Sequence, residues 1–350
     1  MDMKTHILGS SVNELSKWNF YFDKIANKSI YHDPYYIKSL EGVIGDSAEL
    51  FVLETDGSTI YYPYFKKSIN KLSLFLRSPN TNVELFDIVS SWYYGGPIAS
   101  TPSPSKSLLD CFHLEFSRYC ANNNIISEFI RFDANIKNYK FYNKDNVEFN
   151  RETVCVDLRK SKNEILNNTS SANRRALRKS KKMGYVIRDV SCEDDNSWRQ
   201  FWEIYNSEMK RKKAPKHLFF KLDFFIKIRS LGDRKVKLLV AEKDSKMTGG
   251  FIVVFDENYA FHFLSASNPD HWDGRVNNLM FTEALFWAQR HGCLVFDFMG
   301  GRLGVFKFKK NFSSLRAKFY TYKAIHNSLV YNELCEQSPD GTGFFPAYRA

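Results

Sequence analysis

The chain has 350 residues, of which 43% are hydrophobic and 16% aromatic, and its 50 Lys and Arg exceed its 39 Asp and Glu to give a formal net charge of +11. This apolar fraction can fill a packed core and excludes a disordered chain, and the low Gly and Pro content excludes collagen-like or low-complexity architecture. The length predicts about two domains.

Several absences indicate the cellular setting. No apolar run approaches the roughly 18 residues of a membrane span, and the N-terminal segment lacks the apolar core of a secretory signal. The six cysteines never occur as C-x-x-C, so neither a disulfide framework nor a zinc site is indicated, and no metal is expected. We therefore expect a cytoplasmic protein without a transmembrane segment, whose surplus of positive charge is compatible with peripheral contact with a membrane.

The first half of the chain combines helical and strand patterns. Apolar residues at helical spacing, such as Leu15, Trp18 and Phe22, begin this series. The predicted elements, in order, are helices over 14–26 and 35–40, a hairpin over 49–54 and 59–65, a strand over 92–97, a helix over 105–122, and strands over 125–132 and 153–158. A domain boundary near residue 160 fits this series, which predicts domains over 1–160 and 161–350.

The second half has the clearer order. It is predicted to contain helices over 162–183, 198–211 and 218–230, a three-stranded meander over 237–242, 247–255 and 259–265, a helix over 279–291, a buried strand over 293–299, a short helix over 305–312, and strands over 316–325 and 328–332. This order is similar to that of the GNAT acyltransferase fold, and the first half repeats it in outline. The predicted fold class is α/β (α+β), with two tandem GNAT-like units of mixed central sheets flanked by helices.

Short motifs in the second half carry a more specific resemblance. They are Phe296-Asp297, Gly300-Gly301, Gly304-Val305 and Phe308-Lys309 with Phe312, preceded by the basic helix of Asn173-Arg174-Arg175, Arg178 and the helix-ending Gly184. Over residues 150–325 the chain resembles the FemAB family, double-GNAT enzymes related to BioF2-like acetyltransferases. Members of that family join amino acids or other acyl groups to amines on cell-wall precursors and related glycans.

The resemblance implies an N-acyltransferase that moves an acyl or aminoacyl group to an amino group of a sugar, glycan or cell-wall precursor by direct attack. It places the chain in polysaccharide and cell-envelope biosynthesis. It implies acyl-CoA or aminoacyl-tRNA as co-substrate with no permanently bound cofactor, and as partners a phosphate-bearing donor, an amino-sugar or glycan acceptor, or tRNA. The segment 273–278 does not fit the (Arg/Gln)-x-x-Gly-x-(Gly/Ala) pyrophosphate loop of acetyl-CoA-dependent GNAT enzymes, so the donor stays open.

Two alternatives stand beside this interpretation. One is an aminoacyl-tRNA-dependent transferase that forms peptidoglycan bridges. The other is a nucleic-acid-binding module on an inactive GNAT scaffold, which would use the basic clusters at 174–182 and 210–213. Binding by such a module would fall steeply with salt and consume no donor.

Three residues are candidates for catalysis. Lys309 would be a fixed cation that stabilises negative charge in the transition state. Asp297 interrupts an apolar strand, so it would orient a substrate or act as a base, or else accept hydrogen bonds from the adjoining loop. His262 lies on the strand where backbone N–H groups are expected to stabilise the oxyanion, and it is a candidate base.

Two further groups are predicted around these residues. A phosphate clamp on the basic helix would use guanidinium forks, which bind phosphate oxygens in pairs, although the same spacing suits a solvated helix face. Its members are Asn173, Arg174, Arg175 and Arg178. The donor and substrate groove is predicted to include Phe308, Gly300, Gly301, Ser265 and Asn278.

Overall fold

The computed structural model describes residues 3–55, 57–72, 83–338 and 343–350. The chain divides into an N-terminal unit, formed by Met1–Arg151 together with Lys318–Ala350, and a second unit formed by Glu152–Ala317. The sequence-based division at residue 160 assigned 318–350 to the second domain, whereas this returning segment groups with the first.

The strands and helices are numbered in chain order. The strands are β1 (Met3–Leu8), β2 (Ser47–Thr55), β3 (Ser58–Ser68), β4 (Phe86–Val89), β5 (Ile98–Ala99), β6 (Ile125–Arg131), β7 (Val147–Asp157), β8 (Val186–Val190), β9 (Val236–Lys243), β10 (Lys246–Phe255), β11 (Tyr259–Ser267), β12 (Val295–Asp297) and β13 (Arg316–Ile325). The helices are α1 (Val12–Asp23), α2 (Pro34–Ser39), α3 (Lys106–Asn122), α4 (Lys162–Asn168), α5 (Ser171–Lys182), α6 (Asp195–Arg211), α7 (Leu222–Arg229), α8 (Val276–Arg290), α9 (Leu303–Lys309) and α10 (Ser328–Glu336).

The N-terminal unit is built on a sheet with the strand order β1-β2-β3-β4-β6-β13, and β5 pairs with β3. Only β4 and β6 are parallel among these described pairs. Helix α3 packs on one face because its apolar side recurs at helical spacing. The Phe116 ring of α3 lies 5.1 Å from Phe51 and 5.0 Å from Tyr62, measured between ring centroids, so aromatic packing accounts for much of this core.

The second unit has the strand order β7-β12-β11-β10-β9-β8. The β11–β12 pair is parallel and the other described pairs are antiparallel. Helix α8 is apolar on nearly every side, with most residues from Leu279 to Ala288 buried, which places it in the core between the sheet and α5. Both units are therefore mixed sheets flanked by helices, as predicted.

The structure corrects three predicted elements. The helix predicted over 162–183 is two helices, because the Ser170 hydroxyl accepts a hydrogen bond from Asn173 N at 3.1 Å and starts a new one. The strand predicted over 328–332 is wrong: Asn327 caps α10 by accepting from Val330 N at 3.1 Å. The strand predicted over 92–97 is also wrong, because Tyr93 has a φ of 69° and turns the chain.

None of the helices in the described ranges combines the length and the apolar character that a membrane crossing requires.

Candidate active site

The pairing of β11 with β12 ends partway along β11. They pair at Tyr259–Val295, Ala260–Phe296 and Phe261–Asp297, after which β12 ends while β11 continues to Ser267. Beyond Phe261, β11 keeps its partner β10 on one edge, and no other strand of the described chain pairs with the opposite edge. A strand edge that has no neighbouring strand presents backbone N–H and C=O groups that a ligand can contact.

A β-bulge lies in the same stretch of β11. Ile252 of β10 faces Leu264 and the next residue, Val253, faces His262, so Phe263 is the extra residue. A bulge bends a strand and redirects its side chains, and such bulges are frequent beside active sites. The open edge and the bulge both fall at the segment 262–265, where the sequence predicted the backbone donors.

Asp297 ends β12 and fixes the turn that follows. Its side chain is fully buried, with Oδ1 accepting from Met299 N at 2.7 Å and Oδ2 accepting from the Thr153 hydroxyl at 3.4 Å. Met299 has a φ of 64°, a conformation that a residue with a side chain adopts only when its surroundings enforce it. Through these contacts the Asp297 carboxylate holds the turn that leads to Gly300 and Gly301.

Of the two residues Gly300 and Gly301, it is Gly301 whose position requires glycine. Gly301 has a φ of 146°, and a Cβ atom there would lie 3.0 Å from the Val305 side chain. The turn thus passes close to the first residues of α9. Gly300 contributes its carbonyl oxygen, which accepts a hydrogen bond from Lys309 Nζ at 2.8 Å.

Lys309 points inward from α9, and only 4% of its surface is exposed. Burial lowers the pKa of Lys309 from 10.5 to about 7, against the opposing effect of the nearby Asp297 charge. Its neighbours Lys307 and Lys310 are exposed. Lys309 is thus a lysine whose charge can change near neutral pH, because removal from water disfavours the ammonium form.

His262 completes the group on β11. Its Nε2 and the Ser265 hydroxyl share a hydrogen bond at 2.9 Å. Burial and the nearby Lys309 charge hold the pKa of His262 well below its usual range, although a backbone hydrogen bond with Phe298 acts in the opposite direction. The imidazole is therefore neutral at physiological pH. The structure brings the three predicted catalytic residues together, with Lys309 close enough to interact electrostatically with both Asp297 and His262.

Aromatic rings form a wall beside His262. The Phe281 ring centroid lies 5.0 Å from that of His262 and 5.0 Å from that of Phe308, which is half-buried. Phe298 and Phe312 each lie 5.4 Å from Phe281. This wall surrounds the polar group with apolar side chains, which lowers the local dielectric and strengthens charge interactions there.

The residues of the predicted phosphate clamp have different environments. Asn173 is buried, and its Oδ1 accepts from Asn278 Nδ2 at 2.9 Å. Arg174 donates to the backbone carbonyls at the end of α4, at 3.4 Å to Leu166, 3.2 Å to Asn167 and also to Thr169. Arg174 thus caps a helix, which differs from the predicted phosphate contact.

The other two members of the predicted clamp lie on the surface. Arg175 and Arg178 are exposed on α5. Asn278, a predicted groove residue, is half-buried in the first turn of α8 and is bonded to Asn173. Ser265 is half-buried beside His262.

Aromatic side chains outside the predicted site fix the loop before α8. The Tyr185 ring fills the space beside Gly274, where a Cβ atom would lie 2.4 Å from the ring. Tyr185 also shares a hydrogen bond with His271 Nδ1 at 2.8 Å, and Trp272 Nε1 donates to the Ser267 hydroxyl at 2.9 Å. Gly274 was the one feature of the sequence that could have indicated this close approach of a side chain to the backbone.

The parts of the chain that the structure describes contain no group of three or more His, Cys, Asp and Glu side chains placed to hold a metal ion.

Comparisons with known proteins find a domain match and several structures with a similar fold. Residues 167–310 match the family model described as an acetyltransferase (GNAT) domain. The fold is similar to the crystal structure of FemX, with a TM-score of 0.71 and 14% identity over 95% of this chain and 99% of that chain. It is also similar to L-PGS from Bacillus licheniformis, with a TM-score of 0.55 and 12% identity over 90% of this chain and 92% of that chain.

A tandem GNAT protein from the clavulanic acid biosynthesis pathway is similar as well, with a TM-score of 0.52 and 8% identity over 93% of this chain and 99% of that chain. No curated protein matches the sequence significantly. The domain match thus covers residues 167–310, and the structural similarity extends the fold of these proteins over most of the chain. The architecture is similar to those of FemX and of the tandem GNAT protein, so the predicted fold class of two tandem GNAT-like units is confirmed.

Proposed function

We propose that this protein is an acyltransferase that moves an acyl or aminoacyl group to an amino group of a sugar, glycan or cell-wall precursor. The amine attacks the donor carbonyl directly: the new C–N bond forms as the thioester or ester bond of the donor breaks, and the released thiol or tRNA hydroxyl takes up the proton that the amine loses. The observation that carries this proposal is the open edge of β11, beside which Lys309, Asp297 and His262 are gathered. Backbone N–H groups on such an edge can stabilise the oxyanion that forms when an amine attacks a carbonyl.

Lys309 is proposed to act as the cation. Its pKa near 7 means that the free enzyme is partly charged at neutral pH, and a bound anionic donor favours the protonated form. The ammonium group would then stabilise the negative charge that develops on the donor. The low dielectric of the aromatic wall increases this effect.

Asp297 and His262 are proposed to act through their neighbours. Asp297 holds the turn that presents the Gly300 carbonyl to Lys309 Nζ. The low pKa of His262 makes it a weak base, so we assign it to positioning the Ser265 hydroxyl at the open edge. The exposed Arg175 and Arg178 are proposed to attract the phosphate groups of the donor.

A second candidate is the aminoacyl-tRNA-dependent formation of peptide bridges on a cell-wall precursor. The loop that precedes α8 favours it, because Tyr185 and Trp272 fix that loop and its sequence is not the glycine-rich pyrophosphate loop. The fold similarity to FemX supports the same choice. In either case we propose that the protein acts in the cytoplasm on envelope polysaccharide precursors.

The direct experiment is a donor panel. The full chain is incubated with acyl-CoA esters or charged tRNA and an amino-sugar nucleotide, and the product is identified by mass spectrometry. We expect a product whose mass increases by one acyl or aminoacyl group, and we expect Lys309→Met to abolish most of it. A chain that turns over no donor but binds nucleic acid with a steep salt dependence would instead support the binding-module alternative.

A further inference from the structure

A second charged cluster lies on the sheet of the N-terminal unit, within that unit alone. Lys67 of β3 pairs with Asp87 of β4, and Asp87 pairs with Ser127 of β6. Residues that face each other across a sheet, and those two apart along a strand, project from the same face. Arg131, four residues beyond Ser127, therefore shares this face with Lys67 and Asp87.

The carboxylate of this cluster is bonded to groups other than Lys67 and Arg131. Asp87 is buried, and its Oδ1 accepts from the Ser127 hydroxyl at 2.6 Å and from the Tyr348 hydroxyl. Its Oδ2 accepts from Arg349 Nε at 2.5 Å, in an ion pair. Arg349 therefore neutralises Asp87, and the hydrogen bonds of both carboxylate oxygens are with Ser127, Tyr348 and Arg349 rather than with the other two cations.

Lys67 and Arg131 are both half-buried. Within the described ranges of the chain, neither the Lys67 ammonium nor the Arg131 guanidinium has a hydrogen bond or an ion pair with a carboxylate. The Arg131 guanidinium lies 4.6 Å from the centre of the Phe129 ring. The other carboxylate near Lys67, Asp46, is paired with Lys71 at 2.5 Å and accepts from Ser68 N at 2.7 Å.

The charges of these side chains are not balanced. Burial lowers the pKa of Arg131 to about 10. It also lowers the pKa of Lys67, and the neighbouring charges of Arg349 and Arg131 act in the same direction. The Arg131 guanidinium remains protonated at neutral pH. Two like charges that are partly removed from water are unfavourable unless an anion joins them.

We propose that Lys67 and Arg131 bind a phosphate group carried by a small molecule. A guanidinium fork and an ammonium group together suit a tetrahedral, doubly charged anion, because each donates to different oxygens. The partial burial of both groups favours a soluble phosphate compound over the head group of a membrane lipid. The site does not depend on the proposed transfer reaction, because it is measured by binding alone.

The test is calorimetric titration of the full chain with inorganic pyrophosphate, with phosphate and malonate as further probes. We expect one saturable site for pyrophosphate, weakened by roughly ten- to a hundredfold in Lys67→Met and in Arg131→Gln. The matched controls are Lys140→Met and Arg118→Gln, exposed residues of the same unit that change the net charge by the same amount. These two should bind pyrophosphate as the wild type does.

Three results would overturn the proposal: no saturable binding, equal weakening in all four variants, or malonate binding as tightly as pyrophosphate. Should Arg131→Gln fold poorly, Arg131→Lys keeps the charge and removes the fork, and weaker binding by that variant supports the site. Vesicles containing phosphatidic acid form the second arm. Flotation with these vesicles that requires Lys67 and Arg131, without binding of soluble pyrophosphate, would refute the assignment to a small molecule.

Discussion

Replacing Lys309 by Met should remove activity without loss of stability, and it should change how stability depends on pH. The side chain is buried, and its pKa falls from 10.5 to about 7. That difference corresponds to roughly 5 kcal/mol by which the folded protein disfavours the charged form. Methionine has a similar length and no charge, so the variant avoids this penalty.

The sign of the pH effect follows from proton binding. Between pH 7 and 10.5 the unfolded chain keeps the Lys309 proton while the folded chain has released it. The unfolded state therefore binds more protons, and the stability of the wild type rises with pH in this window, by about 2 kcal/mol from pH 7 to pH 9. Below pH 7 both states are protonated and the Lys309 contribution no longer varies.

Chemical denaturation at pH 7, 8 and 9 measures this effect as the difference between wild type and Lys309→Met. We expect the rise contributed by Lys309 to be absent from the variant, whose stability at pH 7 should equal or exceed that of the wild type. The turnover number should fall roughly 10²- to 10³-fold, whereas Lys310→Met, an exposed neighbour, should retain it. The same pH dependence in wild type and variant would refute the reasoning.

Three further predictions concern the same unit. The kcat/KM of the wild type should decrease as pH rises through the pKa of Lys309 near 7. Asp297→Asn should move this decrease to lower pH, because the substitution removes a charge that favours the ammonium form of Lys309. A pH–rate profile in which the decrease does not move would contradict the electrostatic coupling of Asp297 to Lys309. Arg174→Ala should lower the free energy of unfolding by about 1–3 kcal/mol through its lost carbonyl contacts, whereas Arg178→Ala should stay within about 0.5 kcal/mol in thermal melts; equal losses would show that Arg174 does not cap α4. Ser265→Ala should lower kcat by about tenfold, since the hydrogen bond with His262 at the open edge is lost; an unchanged kcat would remove Ser265 from the site.

The long helices and strands were predictable because their buried apolar residues recur at the spacing typical of each element. The helix predicted over 279–291 is α8 at Val276–Arg290, and the predicted meander is β9 to β11. The C-terminal helix α10 was mistaken for a strand, since Leu329, Val330 and Tyr331 suit either state. The hydrogen bond that Val330 N donates to the Asn327 side chain caps a helix and decides between the two states. Such a cap overrides strand propensity only where the backbone geometry allows it to form.

The three residues predicted to act in catalysis lie near one another in the structure, but their surroundings could not be predicted from the sequence. The motif that resembles the FemAB family pointed to Lys309 and Asp297, but burial and the resulting pKa of Lys309 depend on how α9 packs. The left-handed conformation of Met299 is imposed by its bond to Asp297 and leaves no mark in the sequence. Likewise, a run of basic residues cannot show that Arg174 turns back to the end of α4.

The returning segment has a consequence for how the protein is made. Residues 318–350 leave the ribosome after the entire second unit, yet β13 supplies the partner of β6 through pairs such as Thr321–Arg131. Arg349, which neutralises the buried Asp87, is synthesised later still. Domains usually complete folding in the order of their synthesis. Here the second unit can complete its folding first. Until β13 is synthesised, β6 of the N-terminal unit is an exposed strand edge that can pair wrongly with other chains.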